Sequence, residues 1–233
     1  MNLIAIDTST ENCSVALLAR KEIKEISSLT SQHHAEIVLD MVDKLLTQNG
    51  VAKSDLDAIV FGNGPGSFTG VRIATSTAQG LALGLNLKVV PVCSLAALAL
   101  QACDGTDEDY SIGAIDARMG EVYIAIYKRI GSDLIPLLEP SVLKPQEACE
   151  KIRTIIGVAH AVGGGSGMDL LYDAGLNKNI RKRSQFPDAE YIMRLGTLAF
   201  ERGETVFPEQ ALPLYVRNEV TWKKVSEQGK KAQ

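Results

Sequence analysis

The chain has 233 residues, 45% of them hydrophobic and 22% charged, with a formal net charge of −4. That balance describes a globular protein with a sizeable core, long enough for one large domain or two lobes of about 115 residues each. It argues against tight, autonomous nucleic-acid binding, which needs a basic surface. The longest uncharged stretch, 73–87, is too rich in Thr, Ser, Gly, Gln and Asn to span a membrane.

The first residues, MNLIAIDTSTENC, carry neither the basic flank nor the apolar core of a signal peptide. Cys13, Cys93, Cys103 and Cys149 are scattered, without a C-x-x-C pair, so buried free thiols and a cytoplasmic location are expected. Leu3–Asp7 and Cys13–Leu18 read as strands joined by a polar turn, with a third strand near Ile23–Leu29. Ala35–Gln48 reads as a helix, because Ile37, Val38, Met41, Val42, Leu45 and Leu46 recur at the spacing of one apolar stripe. Asp57–Phe61 is a short buried strand that runs into the loop GNGPGSFTG, residues 62–70, and then a helix over Val71–Gly84. Lys88–Val92 is another strand, after which Ser94 is placed to cap a helix reaching Ala102. Asp104–Asp109, with four carboxylates in six residues, reads as an exposed connector.

Beyond the connector the pattern starts again. Ile112–Asp116 turns through Ala117–Gly120 into Val122–Tyr127, and Ala114-Ile115-Asp116 repeats Ala5-Ile6-Asp7 at the same place in a hairpin. Val158–Val162 then runs into Gly163-Gly164-Gly165-Ser166-Gly167, a second glycine turn after a strand. An aspartate-tipped hairpin followed by a strand and a glycine turn, twice in order, points to two similar α/β lobes with a cleft between them. The expected division is 1–105 for the first lobe, 106–218 for the second and 219–233 for a basic tail. A smaller basic cluster, Lys178, Arg181, Lys182 and Arg183, reads as a polar loop.

The motifs leave the chemistry open. The loop at 62–70 matches neither a Walker P-loop, which needs a lysine after its last glycine, nor the G-x-G-x-x-G spacing. Two readings remain for Gly64 and Gly66: an anion-binding nest at a helix start, or a tight turn that requires glycine. Asp7 and Asp116 stand where two-lobed nucleotide-binding folds hold a metal through water. Equally, Arg118 can neutralise Asp116, and Thr8, Ser9 and Thr10 suit a hydrogen-bonded turn around Asp7. His33 and His34 are adjacent, so on a helix their side chains diverge by about 100°, and His160 reads as a lone strand histidine. No H-x-x-x-H pair, H-E-x-x-H motif or nucleophile elbow is present.

The segments IAIDTSTENCSVALL, GNGPGSFTGVRIA, AQGLALG, AIDARMGEVYIAIY and PLYVRNEVTWKK together resemble the TsaB (YeaZ) family of bacterial tRNA-modification proteins, over nearly the whole chain. The resemblance implies an actin-like (ASKHA) α/β fold of two ribonuclease-H-like lobes, each a mixed five-stranded sheet with flanking helices. It also implies an accessory role beside a TsaD-like transferase and a TsaE-like ATPase, making threonylcarbamoyladenosine on tRNAs that read codons beginning with adenine. TsaD-type proteins hold their metal with an H-x-x-x-H pair; here Ser94-Leu95-Ala96-Ala97-Leu98 stands in place of the histidine-bearing segment. The expectation is therefore a non-catalytic subunit with no metal and no cofactor. Weak or vestigial ATP or ADP binding would lie in a cleft marked by Asp7, Ser9, Gly64, Gly66, Asp116, Gly163 and Gly164. Partner or homodimer contact would run through first-lobe helices, with Ile37, Val38, Met41, Val42, Leu45, Ala74 and Ala78 as candidates, and tRNA would be met only through the complex. The alternatives are a small-molecule kinase of the same fold or a glycoprotease-type peptidase.

Overall fold

A computed structural model describes residues 1–217 apart from 31, 132 and 158; the basic tail at 219–233 and Val158 lie outside the described residues. Leu3–Asp7 (β1), Asn12–Ala19 (β2) and Glu22–Leu29 (β3) form an antiparallel meander. The chain continues through His34–Asn49 (α1), Ala58–Gly64 (β4), Phe68–Leu85 (α2), Lys88–Cys93 (β5) and Ser94–Cys103 (α3). β4 joins β1 in parallel and β5 joins β4, giving the order β3-β2-β1-β4-β5.

The second half repeats this plan. Tyr110–Arg118 (β6), Glu121–Ile130 (β7) and Asp133–Leu143 (β8) form the meander, followed by Pro145–Ile156 (α4), Ala161–Gly164 (β9), Gly167–Asp173 (α5), Arg181–Ser184 (β10) and Ala189–Glu201 (α6). Its sheet runs β10-β9-β6-β7-β8, the same arrangement with β6 in the place of β1. These are the two mixed five-stranded sheets of an actin-like, two-lobed α/β fold.

Each helix forms where the sequence supplies a stripe to bury. On α1, Val38, Met41, Val42, Leu45 and Leu46 face the sheet, where they pack with Ile4, Ile6, Ile59 and Phe61 and with Ala74, Ala78 and Ala82 of α2. Gly50, with φ 62, ends α1 in the left-handed conformation that glycine adopts without cost. On α4, Pro145 sits in the first turn, where a missing N–H matters least, and Ala148, Cys149, Ile152 and Ile156 make the buried stripe.

The last helix of each half crosses to the other half. α3 packs Leu95, Leu98 and Ala99 against Ile115, Ala125 and Tyr127 of the second sheet, and Gly113 gives the Leu95 carbonyl room to lie on β6. α6 packs Ala189, Ile192 and Met193 against Leu3, Ala5, Val60 and Val90 of the first sheet. Ser14 accepts the Ala189 N–H at 2.9 Å, so the start of α6 is satisfied by a β2 hydroxyl.

Three expectations need correction. Residues 181–184 form strand β10 rather than a loop, since an edge strand needs only backbone pairing with β9. His160 is exposed and precedes β9 instead of lying within it. Ser94 does not cap α3; it is the first helical residue, and its hydroxyl turns to Asp7.

Candidate functional site

A cavity of about 740 Å³ opens between the turns that end β1 and β6 and the start of α2. Its walls include Ser9, Thr10 and Glu11 from the first turn, His34 at the start of α1, Gly66 to Val71 from the glycine loop and the start of α2, and Ile115 to Arg118 from the second hairpin. Leu214–Arg217 closes one side.

Asp7 ends β1 but is fully buried and does not line this cavity. Ser9 donates both its N–H, at 3.0 Å, and its hydroxyl, at 2.8 Å, to Asp7 Oδ1. The Ser94 hydroxyl lies 3.3 Å from Oδ2, and a Cβ at Gly62 would overlap that same oxygen. Burial raises the Asp7 carboxyl to about 6, against the opposing pull of the Ser9 and Ser94 hydrogen bonds. Burial raises the Cys13 thiol as well, to about 12, and the nearby Asp7 carboxylate pushes it in the same direction.

Asp116 does line the cavity, but its carboxylate is engaged. The Arg118 N–H donates to Oδ1 at 2.7 Å and the guanidinium to Oδ2 at 3.1 Å, while the Asp116 N–H donates to Ser166 Oγ at 3.1 Å. Arg118 also reaches Glu11 of the first lobe at 3.5 Å.

The glycine loop is pressed against the first turn. Ser67 N–H donates to the Ser9 carbonyl at 2.7 Å, and the Thr8 hydroxyl donates to the Gly70 carbonyl at 2.7 Å. Side chains at Gly66 or Gly70 would overlap the Ser9 and Thr8 carbonyls, respectively. Gly64 takes φ 98, a left-handed value that glycine tolerates. Ser67 caps α2 by accepting from Gly70 N–H. The Ser67 and Gly70 N–H groups are thus met within the chain, and Gly66 and Gly70 serve close backbone approach. The second turn follows suit: Gly165 and Gly167 lie on the Ala114–Ile115 backbone, and Gly164 on the Leu98 carbonyl. Of the seven residues assigned to the cleft, Ser9, Gly66 and Asp116 line the cavity; Asp7, Gly64, Gly163 and Gly164 do not.

The docking candidates lie in the core of the first lobe. Val38, Met41, Val42, Leu45, Ala74 and Ala78 are buried in the lobe's own core, and Ile37 is half-buried against it. The exposed large apolar side chains of these helices are instead Leu39 on α1 and Phe68 and Leu83 on α2. Gly80 and Gly84 share the outer face of α2, and a Cβ at either would meet nothing within 4 Å. The sequence shows the stripe but not which side of it the sheet covers.

Among the described residues, no three His, Cys, Asp or Glu side chains gather as metal ligands. His34 places Nε2 2.8 Å from the Thr10 carbonyl, and the exposed His33 pairs with Glu36. No helix of the described residues is long and apolar enough to cross a membrane.

Comparison with known proteins agrees with this geometry. Residues 21–187 match the family model described as TsaD, tRNA N6-adenosine threonylcarbamoyltransferase. The chain is 36% identical to the tRNA threonylcarbamoyladenosine biosynthesis protein TsaB of Haemophilus influenzae, over 97% of each chain. It is 38% identical to TsaB of Escherichia coli, over 97% of this chain and 98% of that one. The crystal structure of a Pseudomonas aeruginosa protein with similarity to peptidase YeaZ superposes with a TM-score of 0.87 at 39% identity, over 93% of this chain and 99% of that one. YeaZ of the same organism gives 0.85 at 39%, over 92% and 99%. Matched from end to end by these relatives and built on the same two lobes, this chain belongs to the TsaB (YeaZ) family.

Proposed function

We propose that the chain is a non-catalytic accessory subunit of tRNA threonylcarbamoyladenosine biosynthesis, acting in the cytoplasm by pairing with a TsaD-like transferase. The role in the modification follows from family membership. The accessory reading rests on one observation above all: neither cleft aspartate is free to act. Asp7 is sealed beneath Ser9 and Ser94, and Asp116 is held by Arg118. A carboxylate that orders a metal or accepts a proton must reach the cavity with an open oxygen.

The docking face in this reading is the outer surface of α1 and α2, which lie side by side on the first sheet. Gly80 and Gly84 cost helix stability, about 1 kcal/mol each relative to alanine, and nothing inside the chain fills the space above them. Close approach of a partner helix accounts for that cost. The same face serves self-pairing as a homodimer. A TsaE-like ATPase joins the assembly, tRNA is contacted only within it, and ATP or ADP binding by this chain is weak or vestigial.

The test is incorporation of labelled threonine into unmodified tRNA with ATP, bicarbonate, TsaC, TsaD and TsaE. Folded Asp7→Asn and Asp116→Asn proteins are expected to support modification at close to the parent rate. A loss of about a hundredfold (about 2.7 kcal/mol of barrier) with TsaD pairing intact would make the cleft chemically active and overturn the accessory reading.

A further inference from the structure

After α6 the chain turns back across the first lobe. Val206 pairs with Val89 at the outer edge of β5, through hydrogen bonds of 2.9 and 3.0 Å. Gln79 of α2 donates to the Ala211 carbonyl at 2.9 Å, and Ala211 is buried in the core beneath α2. From 211 to 217 the backbone is neither helix nor strand. Its Leu214 N–H donates to the Asn63 carbonyl at 2.7 Å, and the Tyr215 hydroxyl accepts from Arg72 Nε at 3.1 Å. The Arg72 guanidinium lies in turn 3.4 Å above the Phe68 ring.

Two residues later the segment leaves the first lobe. The Arg217 guanidinium donates to the Ala117 carbonyl at 3.5 Å, touches the Met119 sulfur at 3.5 Å and forms an ion pair with Glu121. All three belong to the β6–β7 hairpin of the second lobe. That tip is itself held in a costly shape: Arg118 and Met119 take φ 63 and 57. Left-handed backbone at non-glycine residues costs about 1 kcal/mol each, so the tip benefits from an external hold.

We propose that residues 205–217 are an interlobe strap, with Arg217 as its latch, which couples the start of α2 to the β6–β7 hairpin across the cleft. Leu214 and Tyr215 hold the strap to β4 and α2, and Arg217 holds it to the hairpin with only Val216 between, so loosening at one end is felt at the other. Leu214, Tyr215, Val216 and Arg217 line the cavity they cross, so the strap also sets how far the lobes part. The inference concerns contacts within one chain and stands whether or not α2 docks a transferase.

Hydrogen exchange on the full chain by itself tests it. In Arg217→Ala, amide exchange is expected to rise about tenfold at residues 117–121 and also at the far end, at the Leu214 amide and residues 63–72. In Tyr215→Ala, broken at the α2 end, exchange should rise at the hairpin 117–121 as well. The interiors of β1 and β6 should stay as protected as in the parent, which reports that both variants are folded. Arg217→Gln and Tyr215→Phe repeat the comparison with smaller perturbations, should either alanine variant lose protection globally. Loosening confined to the mutated end, or no loosening at either end, overturns the coupling.

Discussion

The Ser94 hydroxyl lies 3.3 Å from Asp7 Oδ2, so the first turn of α3 closes over the carboxylate that ends β1. The two residues are 87 positions apart, and Gly62 completes the seal because any side chain there would overlap the same oxygen. A carboxylate shut in this way becomes a pH-dependent element of stability.

For Asp7, the direction of that dependence follows from its raised value of about 6 against 3.8 in the unfolded chain. Below 3.8 both states hold the proton and the site has no charge to bury. Between 3.8 and 6 the unfolded chain has released a proton that the folded chain keeps, so stability falls as pH rises; above 6 the deficit is constant. Its size is on the order of 3 kcal/mol, from a shift of about two units at 1.36 kcal/mol each. Asp7→Asn keeps an acceptor for Ser9 and offers an N–H to Ser94, so it should be more stable than the parent at pH 7.5 and equal to it near pH 3.8. Denaturant titrations of both proteins across that range check this; equal stabilities at pH 7.5 would contradict the buried charge.

Core and surface positions on the first-lobe helices separate folding from pairing. Met41→Asp and Leu45→Asp bury a carboxylate among Val38, Val42 and Phe61, at a cost of several kcal/mol, and should fail to fold. Leu83→Asp, at a side chain 57% exposed, should fold normally and lose pairing with a TsaD-like chain. Circular dichroism beside size-exclusion chromatography with that partner distinguishes the two outcomes.

Two glycines on α2 should respond in opposite ways to the same substitution. Gly70→Ala sets a methyl group into the Thr8 carbonyl and must push α2 away from the first turn, costing about 1–3 kcal/mol. Gly80→Ala meets nothing within 4 Å, so the free chain gains up to about 1 kcal/mol of helix stability. The same methyl group should weaken pairing if a partner helix closes on that face. Melting temperatures of the free variants and binding titrations of Gly80→Ala give both signs.

Much of this was legible in the residues. The continuous apolar runs of Leu3–Asp7 and Asn12–Ala19 and the period-3.6 stripe of His34–Asn49 are strong signals, because the strands are buried on both faces and the helix on one. Repetition of the aspartate hairpin and glycine turn was visible for the same reason, since both halves solve one packing problem. Less visible was β10, whose Arg-Lys-Arg-Ser has no apolar member and exists through backbone pairing to β9 alone. α6 went unread although Ala189, Ile192, Met193 and Gly196 keep helical spacing, because its partner sheet lies more than a hundred residues upstream. The docking candidates were ambiguous for a simpler reason. A stripe of apolar side chains has the same spacing whether it meets the chain's own sheet or another molecule, and here it meets the sheet. Sealing of Asp7 depends on Gly62 and Ser94, and no local pattern near Asp7 announces either.

The crossing of α3 and α6 has a consequence for how the molecule comes apart. Each sheet has one face covered by a helix encoded in the opposite half, so neither half carries all the apolar cover that its own strands require. A fragment ending at residue 105 would leave Leu3, Ala5, Val60 and Val90 without α6, and would present Leu95 and Leu98 to water. Such a fragment should be poorly soluble, and the intact chain should melt in one transition with a calorimetric enthalpy matching its van't Hoff value. What looks in outline like two bodies is, thermodynamically, one.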